Sequence, residues 1–270
     1  MTDAVVIVLR EVLEAMLLIC MLMASSTAMG YRFRWMGLAL LFGVFGATAY
    51  ALRLEQISMA FEGFGQEIVN STLLIAIAVM LAAHNYLAVK QLYNPRYKVP
   101  YGLFLLVFVG TVSMAMTREG AEIYLYGYSY GVLAGNMSAV FSGGAIGVGI
   151  GLSIGTFFYY ALKSLARNKR LVTCCVVSLI LAAGMMGQAA LYLSQADLMP
   201  SQGALWDTSN VFAESSLMGE LLHAAIGYEA SPSLTQVLLY LGSVLTSLAA
   251  MFAAWFLYRK PESGEVGEAR

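Results

Sequence analysis

The chain of 270 residues is 60% hydrophobic and only 11% charged, against about 25% charged residues in an ordinary soluble domain. So few charges cannot cover a water-soluble globule, and with a mean hydropathy of +0.74 the composition excludes disorder and nucleic-acid binding and points to a polytopic membrane protein. The net charge is −1, so any function carried by charge depends on where the charges sit.

Seven apolar runs follow one another at about 4–25, 35–52, 68–87, 102–126, 138–162, 171–193 and 234–258. Each approaches or exceeds the roughly 20 helical residues that cross a hydrocarbon core. None alternates as a barrel strand does, and lipid offers no partner to an open backbone, so the runs read as helices. Arg10, Glu11 and Glu14 interrupt the first run, which argues against a cleaved signal peptide. The predicted fold is an all-α integral membrane protein of about seven transmembrane helices.

The basic residues sort the connections. Arg32 and Arg34, then Lys90, Arg96 and Lys98, then Lys163, Arg167, Lys169 and Arg170, then Arg259 and Lys260 fall in alternate connections and at the C-terminus. The positive-inside rule makes these cytoplasmic and the topology N-out, C-in. Asp3, Glu55, Glu62, Glu67, Asp197, Asp207, Glu214, Glu220 and Glu229 lie on the opposite side, with Arg53 the only basic residue among them. An acidic outer surface attracts cations.

Two charged clusters stand inside predicted spans. Arg10-Glu11-Val12-Leu13-Glu14 in the first is matched by Arg118-Glu119-Gly120-Ala121-Glu122 in the fourth, so that R-E-x-x-E occurs twice. At about 100° per residue, the three charged side chains of each motif project from one arc of its helix. A charge at the centre of a spanning helix costs about 2.5–3.5 kcal/mol on insertion scales. Arg10–Glu14 and Arg118–Glu122 bridges at i,i+4 would make insertion tolerable, but they account for two of the four glutamates. The six charges are therefore expected to line a shared, hydrated site.

Three spans separate the motifs, so the two helices run in opposite directions, as in an inverted-repeat transporter with its site between equivalent helices. The predicted organisation is a single transmembrane domain over 1–258: one repeat at about 1–100, a second at about 101–193, an outer loop at 194–233 and a seventh helix at 234–258. A cytoplasmic tail follows at 259–270. Four carboxylates against two guanidinium groups favour a cation, and all-oxygen ligation favours a hard metal ion. There are two His, His84 and His223, and three Cys. Cys20, Cys174 and Cys175 lie in spans without metal-type spacing and read as packing residues.

The paired R-E-x-x-E helices in a seven-span chain resemble the oxidase-dependent iron permease family, which includes the fungal high-affinity iron permease and the smaller bacterial EfeU-type branch. Phe61-Glu62-Gly63 and the segment from Leu221-Leu222-His223 through Gly227-Tyr228 to Pro232 are similar to further family features. The resemblance implies iron transport with Glu11, Glu14, Glu119 and Glu122 as translocating carboxylates and Arg10 and Arg118 as their partners. It also implies no enzymatic activity, no tightly bound cofactor, a separate extracytoplasmic oxidase or iron-delivery protein, and a multi-pass location in a bacterial inner membrane. Fungal members carry an Asp-Ala-Ser-Glu element in the last outer loop. Here Asp207-Thr208-Ser209-Asn210 lacks the final Glu, leaving Asp207, or Glu214 in its stead, as the counterpart. Val12 stands where the family commonly has Gly, which limits the approach of another helix.

Other signals are secondary. Glu62 and Glu67, at the outer start of the third span, are placed to collect cations, or are solvated loop carboxylates. Tyr124, Tyr126, Tyr128 and Tyr130 read as an interfacial aromatic belt. Gly143, Gly147, Gly151 and Gly155 make a small-residue stripe suited to close helix packing. Another transported cation, manganese or lead, is the alternative substrate. A retinal receptor is excluded by the absence of Lys from 234–258, and haem or multicopper oxidation by the scarcity of His.

Overall fold

The computed structural model describes residues 2–133, 135–200, 202–214 and 216–259. Lys260 and the tail residues Glu262, Glu265 and Glu268 lie outside the described residues. Among the described residues the chain forms helices α1 (Thr2–Ala28), α2 (Arg34–Leu52), α3 (Leu54–Met59), α4 (Gly65–Tyr93), α5 (Tyr101–Tyr126), α6 (Met137–Ser164), α7 (Arg167–Gln195), α8 (Leu217–Ile226) and α9 (Leu234–Tyr258). A π-helix at Gly127–Leu133 prolongs α5. The only β-pairing among the described residues is an isolated bridge between Ala204 and Ser233.

Each of the seven apolar runs lies on one long helix. Six of these helices are long and apolar enough to cross a membrane. The exception is α1, whose 27 residues span about 40 Å at 1.5 Å each but include Asp3, Arg10, Glu11 and Glu14. The chain is an all-α membrane protein.

The most extensive packing joins α1 to α6, α2 to α5, and α4 to α7, with α9 laid across α4 and α7. Two of these pairs close on glycine. A methyl group built at Gly147 would stand 2.8 Å from the Val5 carbonyl oxygen, one at Gly151 2.6 Å from Val12, and one at Gly155 2.7 Å from Met16. In α2 and α5, Gly43 faces Met116 and Gly120 faces Ala47 with the same closeness. Exchanging the first three long helices for the next three turns the first pair into the second. Val12 thus does not hold its neighbour away, because α6 supplies the missing volume at Gly151.

One end of the bundle carries the basic residues. Here Tyr31 stacks on Phe104 at 3.9 Å, Phe104 on Phe108 at 4.3 Å, and Trp35 meets Phe108 edge-on at 5.5 Å. The carbonyls that close α1 find donors from other helices: Arg167 Nε reaches Ala28 O at 2.8 Å and Gln91 Nε2 reaches Met29 O at 3.0 Å. Terminal carbonyls have no intrahelical partner, so these contacts tie α4 and α7 to the end of α1.

At the other end, α8 is short and well capped. Ser216 accepts from Gly219 N at 3.0 Å, and Gly227 ends the helix in the left-handed region at φ 68°, as C-caps commonly do. Gly227 also lies against Gly184 of α7, where a Cβ on either residue would meet the other's backbone. Ser233 and Gln236 form a reciprocal capping box at the start of α9. These contacts fix the loop over the α8 end of the bundle.

Candidate metal site

The two motifs meet between α1 and α5. Arg118 Nη1 bonds its neighbour Glu119 at 2.7 Å and crosses to Glu14 of α1 at 3.0 Å, while Nη2 holds Glu122 at 3.0 Å. Arg10 binds Glu11 at 2.6 Å, lies 3.9 Å from Glu122 of α5, and reaches Glu220 of α8 at 3.2 Å. Of the two i,i+4 bridges weighed from sequence, Arg118–Glu122 forms. Arg10 instead turns outward to α8, which gives Glu14 to the arginine of the opposite motif. Tyr192 of α7 donates its hydroxyl to Glu122 at 3.1 Å.

Glu11, Glu119 and Glu122 each place one carboxylate oxygen so that all three lie within 4.8 Å of one another. A metal–oxygen bond of about 2.1 Å separates ligand oxygens by about 3–4 Å, so a small contraction brings the three onto one ion. Glu14 stands beside this trio. Glu11 Oε2, Glu14 Oε1 and Glu119 Oε2 are buried without a hydrogen-bond partner among the described residues. Such atoms are costly to leave bare, and a cation between them satisfies several together.

Toward the α8 end the cluster opens into a cavity of about 240 Å³ whose lining includes Arg10, Gln188, Tyr192, Glu220, His223 and Glu229. Burial holds the Glu229 carboxyl above its usual range, against the opposing influence of His223.

The other predicted site residues divide. Glu214 lines the cavity and accepts from Ala230 N at 2.9 Å. Asp207 is exposed in a turn of its own, accepting from Ser209 N at 2.9 Å, and hydrogen bonds from Ser209 lower its pKa. It is not among the residues that line the cavity. Glu62 is exposed in a turn where Phe61, Glu62 and Gly63 all have positive φ. Glu67 opens α4 with a buried, unpartnered Oε2, and the buried Tyr50 hydroxyl lies within electrostatic reach of both Glu67 and Glu122. Neither Glu62 nor Glu67 joins the three-carboxylate group. The tyrosines after the second motif stack in pairs, Tyr124 on Tyr128 and Tyr126 on Tyr130. His84 is fully buried, 2.7 Å from Ser25 Oγ.

Gln188 and Tyr192 escaped the sequence reading because neither carries charge. An amide within an otherwise apolar span was the available signal.

Helices that cross a membrane around a paired-charge, carboxylate-rich cluster define a multi-pass membrane protein equipped to handle cations. A family model, that of the iron permease FTR1 family, matches residues 91–261, more than half of the chain. The match takes in Arg118–Glu122 and α5 to α9; the first motif precedes it. No curated protein and no solved structure matches the chain. The chain belongs to the iron permease FTR1 family, and is a permease with iron as its transported substrate.

Proposed function

We propose that iron enters at the α8 end and crosses between the two R-E-x-x-E helices, with Glu11, Glu14, Glu119 and Glu122 as the carboxylates that take it through. The observation that carries this reading is the approach of Glu11, Glu119 and Glu122 to within 4.8 Å of one another. Arg10 and Arg118 pair with these carboxylates and hold the two motifs together across the helix pair.

The exchange symmetry of the α1–α6 and α2–α5 pairs supports two inverted repeats, at about 1–100 and 101–193, with α9 added as a seventh spanning helix. The positions of the basic residues support an N-out, C-in topology, with the α8 end facing out; a bacterial inner membrane is the location that the chain's resemblance to the smaller bacterial branch implies. An inside-negative potential then favours inward cation movement by about 2.3 kcal/mol per unit charge per 100 mV. With two histidines in the chain, any oxidation of iron that transport requires falls to a separate extracytoplasmic oxidase, and a delivery protein is the other partner of this reading. Glu214 lines the entry cavity, whereas Glu62, Glu67 and Asp207 lie off this path.

Uptake of radioactive iron by cells carrying Glu11→Gln, Glu119→Gln or Glu122→Gln tests the reading. Uptake lost at equal membrane abundance is the expected result. Undiminished uptake in all three overturns it.

A further inference from the structure

Carboxylates alone do not tell iron from other cations, because oxygen-only sets also suit magnesium, calcium and manganese. One imidazole stands beside the cluster. His223 Nδ1 lies 2.9 Å from the Tyr228 carbonyl oxygen. A carbonyl only accepts and an amide nitrogen only donates, so Nδ1 carries the proton and the Nε2 lone pair accepts from Gln188 Nε2 at 2.9 Å. That arrangement, with one ring nitrogen donating to a backbone carbonyl, is the one that orients metal-binding histidines.

The Nε2 lone pair faces two groups drawn from different helices. Gln188 of α7 places its amide 2.9 Å away, and Glu14 Oε1 of α1 lies 4.0 Å away. Gln188 is only 8% exposed and Glu14 5%. Gln188 Oε1 and Glu14 Oε1 are both buried without a hydrogen-bond partner among the described residues. A half-turn of the Gln188 amide puts its oxygen where its nitrogen now stands. One nitrogen and two oxygens then converge where the cavity meets the transmembrane charges.

We propose that His223 Nε2, Glu14 Oε1 and Gln188 Oε1 form a second metal site, a mixed nitrogen–oxygen station that takes a first-row transition ion from the cavity and excludes magnesium and calcium. Glu14 then serves two stations. It receives the ion beside His223 and stands next to the Glu11, Glu119 and Glu122 trio that takes it on. The transport role of the station rests on the carboxylate pathway proposed above, but its existence as a binding site does not. Imidazole ligation favours transition ions over magnesium and calcium, which prefer oxygen.

The test uses the full chain purified in detergent, with Mn²⁺ as a paramagnetic probe read by electron spin-echo modulation from ligating nitrogen. Nitrogen modulation is expected in the unmodified chain, in Glu119→Gln and in His84→Gln, and its loss in His223→Gln. No nitrogen modulation in the unmodified chain, or modulation that persists in a folded His223→Gln, overturns the site. Should His223→Gln fail to fold, unmodified protein grown with ¹⁵N-histidine answers instead, since the modulation must change with the isotope and survive in His84→Gln. Selectivity is read separately. Millimolar magnesium should leave iron uptake by the unmodified chain unchanged and reduce it several-fold in His223→Gln; equal resistance in both removes the selectivity role. Normal uptake by Glu119→Gln alongside intact nitrogen modulation would sink the carboxylate pathway and leave this site standing.

Discussion

The two ends of the helical bundle are built on opposite principles. At the α8 end, one buried carboxylate oxygen each of Glu11, Glu14 and Glu119 has no hydrogen-bond partner among the described residues, and a cavity of about 240 Å³ reaches the charged side chains. At the basic end, Tyr31, Phe104, Phe108 and Trp35 interlock, and the last carbonyls of α1 are tied by Gln91 and Arg167. Unpartnered carboxylate oxygens gather at the α8 end, whereas stacked aromatic rings fill the basic end. The contrast teaches that the packing of the two ends differs in the way the proposed entry at the α8 end requires.

The largest effect should come at the open end. Glu119→Gln or Glu11→Gln is expected to cut iron uptake by about a hundredfold or more, beyond the 10–100-fold typical of losing an outer-shell partner at a metal site. Uptake of radioactive iron at matched abundance measures it. Next, Arg118→Met leaves Glu14, Glu119 and Glu122 without their shared cation, and breaking a buried pair in this way costs about 3–5 kcal/mol. Thermal unfolding in detergent should record a lowered midpoint. Arg10→Met should cost less, because Arg10 is 30% exposed and solvent weakens its contribution.

Phe108→Ala addresses the closed end. Removing a buried aromatic costs about 3–5 kcal/mol, yet the Phe108 ring packs on Trp35, His84 and Phe104, in the half of α5 away from the second motif, so Mn²⁺ affinity measured by titration should hold within about twofold, well under the tenfold that 1.4 kcal/mol represents. A large loss of affinity would mean that the two ends are not separable. Gly151→Ala should cost about 1–3 kcal/mol through overpacking against Val12, read as a lower unfolding midpoint. The smallest effect belongs to Asp207→Asn, whose exposed side chain serves its own turn. Uptake should be unchanged, and a clear loss would place the 194–233 loop on the path by a route other than the cavity.

Much of this was legible in the sequence. Apolar length alone gave the long helices, because lipid forces backbone groups to bond within each segment. The doubled R-E-x-x-E spacing gave the six central charges, because a fixed turn angle places them on one arc. Which arginine serves which glutamate was not legible, since Arg10 departs to Glu220, 210 positions away. Val12 looked like an obstacle because the compensating Gly151 sits on another helix. Gln188 and Tyr192 carry no charge and so give no signal of their own, and His223 stands in the sequence as one of two histidines, with no second His or Cys at metal-type spacing from it. Asp207 drew notice through likeness to a motif, and local turn geometry keeps its side chain exposed.

The contact between Gly184 and Gly227 has a mechanical consequence. Side chains that touch can change rotamer and let a gap widen by degrees, but here two bare backbones meet, with a Cβ on Gly227 standing 2.2 Å from Gly184 Cα and so excluded. Helix α8 is therefore seated on α7 backbone to backbone, with no side chain between them at this point. His223 stands four residues before Gly227, so a side chain added at either glycine would displace the mouth above the charges together with its imidazole.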